Sequence, residues 1–376
     1  MKIVLAPDKF KNSLTGLQFC DAVIDGIHSV CTDIDIIKLP LADGGDGTIE
    51  VVNYYLKGEH IDVAVSNPFF EKVIATYLYA PQTQTAFIEM AEASGVKLLS
   101  EQHLDCKNAT TLGTGEMIVD AINKGATKII LGIGGSATND CGIGMATALG
   151  YQFLDKNGNT VHPIGANLSS VVTIDASAIH PGLANVNFEI ACDVKNPLYG
   201  TNGAAQIYAA QKGATRDDIT LLDQGLKDIA QVIENHSNIN PQRIEGAGAA
   251  GGMGIAAKIF LNGKLSPGID LIKSLSDFDN RIKDADWIIT GEGKLDSQTL
   301  SGKTIQGVIT SAKRNNNKVA AFCGAIDLDK IKLEHIGIVY AASIMEKARD
   351  LNDAFAKAEY YLQHIASTFA TKNLLR

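Results

Sequence analysis

Residues 286–323 read "DWIITGEGKLDSQTLSGKTIQGVITSAKRNNNKVAAFC". A short apolar run, a polar glycine-bearing loop, an amphipathic stretch from Thr304 to Arg314 and a second apolar run make a βαβ unit, which demands a parallel sheet. Toward the C-terminus, "IGIVYAA" (336–342) supplies another strand, and the spacing predicts a helix from Leu351 to Phe369. The first sixty residues keep the same rhythm: "KIVLAP" (2–7), a helical stretch from Leu14 to His28, "IDIIKLP" (34–40) and a second helical stretch from Gly47 to Leu56. Two strands plus three predict a five-stranded doubly wound sheet, Rossmann-like or flavodoxin-like, built from residues 1–60 and 282–376. Between them "IDVAVSN", "KVIATYLYA" and "TQTAFIEMA" follow one another too closely for crossover helices. Residues 61–281 therefore read as an inserted mixed-sheet α/β domain, and 376 residues is ample for two cores.

The composition is that of an ordinary globular chain, 45% hydrophobic and 20% charged. A net charge of −9 argues against a broad nucleic-acid or anionic membrane surface and leaves room only for a local basic pocket. No apolar run reaches membrane-spanning length, "MKIVLAP" is too brief for a signal peptide, and the six cysteines form no CxxC pair, so a cytoplasmic protein with free thiols is expected. The eight histidines show no HxxxH spacing and no serine sits in GxSxG, which lowers the prospects of a histidine metal site or an α/β-hydrolase. Trp287, beside a buried strand, reads as core.

Polar, glycine-bearing loops follow several strands. "APDKFKNSL" places Asp8, Lys9, Lys11 and Ser13 after the first strand, "PLADGGDGT" places Asp43 and Asp46 after the second, and "TGEGKLDSQTLSGKT" places Glu292, Lys294, Asp296, Lys303 and Thr304 after the third. Open parallel sheets bind ligands at that carboxyl edge. The "SGKT" is not a Walker A motif, because residue 297 is serine where glycine is needed. In the inserted domain "IILGIGGSATND" (129–140) leads a strand into Gly132, Gly134 and Gly135, then Ser136, Thr138 and Asn139. Such a turn suits an anion at a helix N-terminus and equally suits plain capping; it also fits GxGxxA, a weak dinucleotide pattern. "FEIACDVKNPLYG" ends a strand at Asp193, placed either as a base or as a turn-closing residue, and "EGAGAAGGMG" suits a ligand-facing loop or close packing.

Taken in order, "APDKFKNSL", "PLADGGDGT", "LGTGEMI", "LGIGGSATND", "ACDVKNPLYG", "GAGAAGGMG", "PGIDL" and "DWIITGEGKLDSQTLSGKT" resemble the bacterial type 1 glycerate kinase family over nearly the whole chain. Lys9 stands where that family usually has serine, Asp46 where glutamate is common and Cys141 where glycine is usual. The resemblance implies two α/β domains with the active site in the cleft between them, and transfer of the ATP γ-phosphoryl group to D-glycerate with Mg²⁺. It favours the 2-hydroxyl, with the 3-hydroxyl as the alternative. It further implies Lys11 as a charge-offsetting lysine, Gly291, Glu292, Gly293, Lys294, Gly302 and Lys303 at the nucleotide, and Ser136, Thr138, Asn139 and Asp140 at glycerate. Asp193 is the expected base, with Asp43, Asp140 and Asp296 competing for that role; Asp43 and Asp296 are the expected Mg²⁺ ligands. No nucleic-acid or membrane partner is expected, and the state is monomer or homodimer. Rival readings from the residues are an NAD-dependent 2-hydroxy-acid oxidoreductase and a non-catalytic hydroxy-acid sensor.

Overall fold

The computed structural model describes residues 1–44, 48–296, 304–328 and 333–375. The chain is α/β and forms two compact units, Met1–Tyr55 with Ile269–Arg376, and Leu56–Gly268.

The first unit carries a five-stranded sheet in the order Asp35–Lys38, Lys2–Leu5, Trp287–Thr290, Lys318–Cys323, Tyr340–Ser343, parallel throughout. Counted along the chain this is 2-1-3-4-5, the flavodoxin-like order and not the six-stranded Rossmann one. The central strands bury both faces, so they are apolar without alternation: Ile3, Val4, Leu5, Ile288 and Ile289 have no exposed surface. Helix Gly16–His28 begins with a capping box between Thr15 and Gln18, and its apolar stripe lies on helix Ala358–Asn373. The stretch expected as one helix from Leu351 is two, Leu351–Ala356 and Ala358–Asn373, broken at Lys357. Trp287 is core as expected, edge-on to Phe369 at 4.9 Å.

The second unit holds a six-stranded mixed sheet ordered Lys264–Ser266, Asn187–Ala191, Lys128–Gly132, Thr85–Glu89, Lys72–Ala80, Glu59–Ser66. The last three in that list are the antiparallel run read from the sequence; the first four pair in parallel. Parallel neighbours need crossovers, and helix Leu112–Asn123 supplies the one between Thr85–Glu89 and Lys128–Gly132. The register sets Gly132 opposite Ala191, so the loops after these two strands leave the sheet side by side.

Gly26 is where the two long helices of the first unit touch, since a Cβ there would lie 2.3 Å from the Gln363 carbonyl oxygen. Gly26→Ala is expected to lower stability by about 1–3 kcal/mol, read as a reduced urea midpoint at unchanged slope. An unchanged midpoint would show that the helices separate freely.

Candidate functional sites in the two units

At the carboxyl edge of the parallel sheet, backbone pairing continues past the strand ends. Ala6 N–H donates to Ile289 O at 2.8 Å and Asp8 N–H to Gly291 O at 2.8 Å; on the other side Leu39 N–H donates to Leu5 O at 2.7 Å and Leu41 N–H to Pro7 O at 2.8 Å. Thr290 Oγ1 adds a bond to Ala6 O at 2.8 Å. The loops after strands one, two and three are thus brought together at the point where the strand order reverses, the usual ligand position of such sheets.

Asp8 lies at their junction. Its carboxylate accepts from Thr304 Oγ1 at 2.5 Å and from Lys9 N–H at 2.7 Å. Burial and then the neighbouring charge of Asp43 push this carboxyl up to about 6, against the pull of those two hydrogen bonds and the Lys9 charge. Lys11 is exposed on a tight turn closed by Phe10 and Leu14, with Asn12 at φ +63°. A Cβ on Gly293 would sit 3.6 Å from the Lys11 nitrogen, so these two expected site residues are neighbours. Gly291 has another reason to be glycine: a Cβ would meet Phe322 O at 2.0 Å. Glu292 is buried and its carbonyl accepts from Gly324 N–H at 3.1 Å. Lys294 and Asp296 lie on a short ribbon paired with Ala325–Asp327, where Lys294 Nζ is 2.8 Å from Asp327 and 3.9 Å from Asp296. Gly302, Lys303 and Asp46 lie outside the described residues. Among the described residues no three His, Cys, Asp or Glu side chains converge as a metal cage.

In the second unit the loop after Lys128–Gly132 corrects the expected geometry. It does not open a helix; the next one, Ile143–Ala148, begins seven residues after Ser136 and is six residues long. Neither a helix-dipole anion site nor a dinucleotide fingerprint has its required context here. Ser136 instead bridges to Gly95, and Ala137 N–H donates to Ser94 O at 2.8 Å. Asp140, expected at the substrate, is fully buried and takes four hydrogen bonds: from Thr111 N–H (2.8 Å), Thr111 Oγ1 (2.7 Å), Gly142 N–H (3.1 Å) and Gly144 N–H (3.2 Å). Burial pushes its carboxyl up while those donors pull it down. It ties the loop to Thr111 and to the start of the next helix. Ala250, Gly251 and Gly252 all have left-handed backbone, and the two glycines pack on the same loop, where a Cβ on Gly251 would lie 2.2 Å from Thr138 O. The glycine cluster therefore serves close packing. Cys141, which replaces a usual glycine, has φ +51°, a conformation that glycine takes freely.

Sequence reasoning missed Lys212. It is buried, and its Nζ donates to Ser136 Oγ at 2.6 Å and Thr138 O at 2.9 Å. Burial pulls its ammonium down to about 8, opposed by Cys106 and Asp140 through space. Thr138 Oγ1 and Asn139 Nδ2 are buried with no hydrogen-bond partner among the described residues. Asp193 follows the neighbouring strand; it is exposed, and Oδ1 accepts from Gly268 N–H at 2.9 Å.

A model of the glycerate kinase family matches residues 3–373. The chain is similar to a glycerate kinase of Bacillus subtilis (strain 168), 42% identical over 370 residues, 98% of this chain and 97% of that one. It is also similar to a glycerate 2-kinase of Escherichia coli (strain K12), 40% identical over 95% of this chain and 94% of the relative. A crystal structure assigned as glycerate kinase 2 from Salmonella typhimurium LT2 superposes with a TM-score of 0.89 at 38% identity, covering 99% of this chain and 98% of that one.

Two expectations test these geometries. Asp140→Asn presents an amide N–H₂ to donors in a closed interior and should cost about 2–4 kcal/mol, seen as a lowered melting temperature; an unchanged melt would remove Asp140 from the loop's support. Asp8 ionises near 6 when folded against an ordinary 3.8. Between those values the folded chain holds the proton and the unfolded chain does not, so stability falls as pH rises through the window and levels off above it. Asp8→Asn should therefore raise the melting temperature by an amount that grows from pH 4 to 6 and then stays constant; a loss at every pH would contradict the raised carboxyl.

Proposed function

This chain belongs to the glycerate kinase family and is a phosphotransferase, and on that premise we propose that it transfers the γ-phosphoryl group of ATP to the 2-hydroxyl of D-glycerate, giving 2-phospho-D-glycerate. The observation that carries this reading is the convergence of three polar loops at the reversal of the parallel sheet, in a chain 40% identical to a protein named glycerate 2-kinase.

Phosphoryl transfer asks mainly for positioning and for charge placed against the moving group. Lys11 offers an exposed ammonium there, and Gly293 leaves room beside the Lys11 backbone for a phosphate to approach. Lys294, and from sequence alone Gly302 and Lys303, extend this nucleotide site. Mg²⁺ fits Asp8 and Asp43, two mutually repelling carboxylates, because Mg²⁺ is usually held by one or two carboxylates and completed by phosphates and water. When bound it offsets charge on the β- and γ-phosphates. Asp296 is a further ligand candidate on the same edge of the unit.

Glycerate is assigned to Ser136, Thr138 and Asn139, whose unpaired buried hydroxyl and amide seek polar partners. Asp193, carried on the strand next to theirs, is the carboxylate that orients the acceptor hydroxyl and takes its proton. Asp193→Asn should lower kcat by about 10²- to 10⁴-fold with a smaller change in either KM; full turnover would remove it from the mechanism.

The product decides the regiochemistry. With ATP, Mg²⁺ and D-glycerate, enolase and pyruvate kinase should report turnover without added phosphoglycerate mutase. Signal only with the mutase would mean the 3-hydroxyl is the acceptor, and silence in both would overturn the kinase reading.

A further inference from the structure

Lys212 is an ammonium inside the second unit whose two hydrogen bonds go to neutral oxygens, Ser136 Oγ and Thr138 O. Among the described residues no carboxylate forms an ion pair with it; of the groups that act on it through space Cys106 comes first and then Asp140, whose oxygens are taken by Thr111, Gly142 and Gly144. A buried charge without a counter-charge is costly, and a structural tie between two turns could be made by a neutral donor. The turn that carries Lys212 is itself fixed: Cys106 N–H donates to Lys212 O at 3.1 Å, and a Cβ on Gly213 would meet Leu104 O at 2.0 Å. The lysine is held where it is.

Its effect on Ser136 is directional. A serine hydroxyl has one proton and two lone pairs, and the ammonium occupies a lone pair, which turns the hydroxyl proton away from Nζ toward another acceptor. The same loop carries an amide donor, Asn139 Nδ2, and a hydroxyl, Thr138 Oγ1, with no hydrogen-bond partner among the described residues, both in residues that are nearly or fully buried. One cation behind a hydroxyl donor and an amide donor matches a singly charged planar anion. A polyphosphate would need several cations.

We infer that Lys212 is a positioning residue for the substrate carboxylate, which polarises Ser136 and sets the charge that distinguishes an acid from its uncharged analogue. This deepens the assignment of glycerate to the loop at Ser136 and rests on it.

The test compares D-glycerate with D-glyceramide, the same molecule with a neutral amide, in Lys212→Met and Ser136→Ala. The parent should prefer the acid, and each variant should reduce the ratio of kcat/KM values by about 10- to 100-fold, with KM for ATP unchanged. Equal losses on both substrates would overturn the inference while leaving the loop as the glycerate site. A loss confined to KM for ATP would also overturn it. If neither variant, each folded, alters D-glycerate kinetics, the loop assignment fails and the inference with it. Should Lys212→Met not fold, Ser136→Ala decides alone: retained discrimination between acid and amide overturns the proposal.

Discussion

The loop at residues 133–142 exists because a carboxylate is satisfied in the dark interior of the second unit. Asp140 accepts hydrogen bonds from Thr111, which starts the crossover helix Leu112–Asn123, and from Gly142 and Gly144, at the start of the next helix. Removing it from water is expensive, and four donors offset that cost only in one backbone arrangement. In that arrangement Gly251 can press against Thr138 and Cys141 N–H can reach Gly251 O at 3.0 Å. Ser136 and Thr138 are then left in reach of Lys212. A buried carboxyl thus arranges the loop that carries Ser136 and Thr138.

The first unit solves a similar problem by other means. Its loops are aligned by continuing the sheet's own backbone pairing past the strand ends, so Asp8 is placed by main-chain geometry before its side chain does anything. Thr304 at the start of its helix completes the contact from the opposite loop. Burial first, and then the neighbouring Asp43 charge, hold the Asp8 carboxyl above its ordinary value. Such a shift is typical of positions kept for a cation or a substrate. Among the described residues no helix is long and apolar enough to cross a membrane, and the cysteines are free thiols.

Most of the architecture was legible because it rests on local pattern. The five parallel strands announce themselves as short apolar runs between polar loops, and helix Thr304–Asn315 ends within a residue of its expected boundary. The break at Lys357 was not legible, since apolar spacing continues through it. The site was readable only as a set of loops. Whether Ser136 opened a helix depended on Asp140 finding Thr111, and Lys212 meets Ser136 across a separation of 76 residues; no spacing in the chain encodes either. GxGxxA at Gly132, Gly134 and Ala137 was misleading for the same reason, because a fingerprint has meaning only where a helix follows it. Cys141 is the converse case: glycine is usual there, and the left-handed φ supplies the physical reason.

The central claim divides recognition between named loops, nucleotide at residues 6–14 and 290–296 and glycerate at residues 133–142. Hydrogen–deuterium exchange followed by mass spectrometry reads this directly. Adding Mg²⁺ with a non-hydrolysable ATP analogue should slow exchange in 6–14 and 290–296, and adding D-glycerate alone should slow it in 133–142. Protection of 133–142 by the nucleotide alone, with D-glycerate protecting 6–14 instead, would contradict the account.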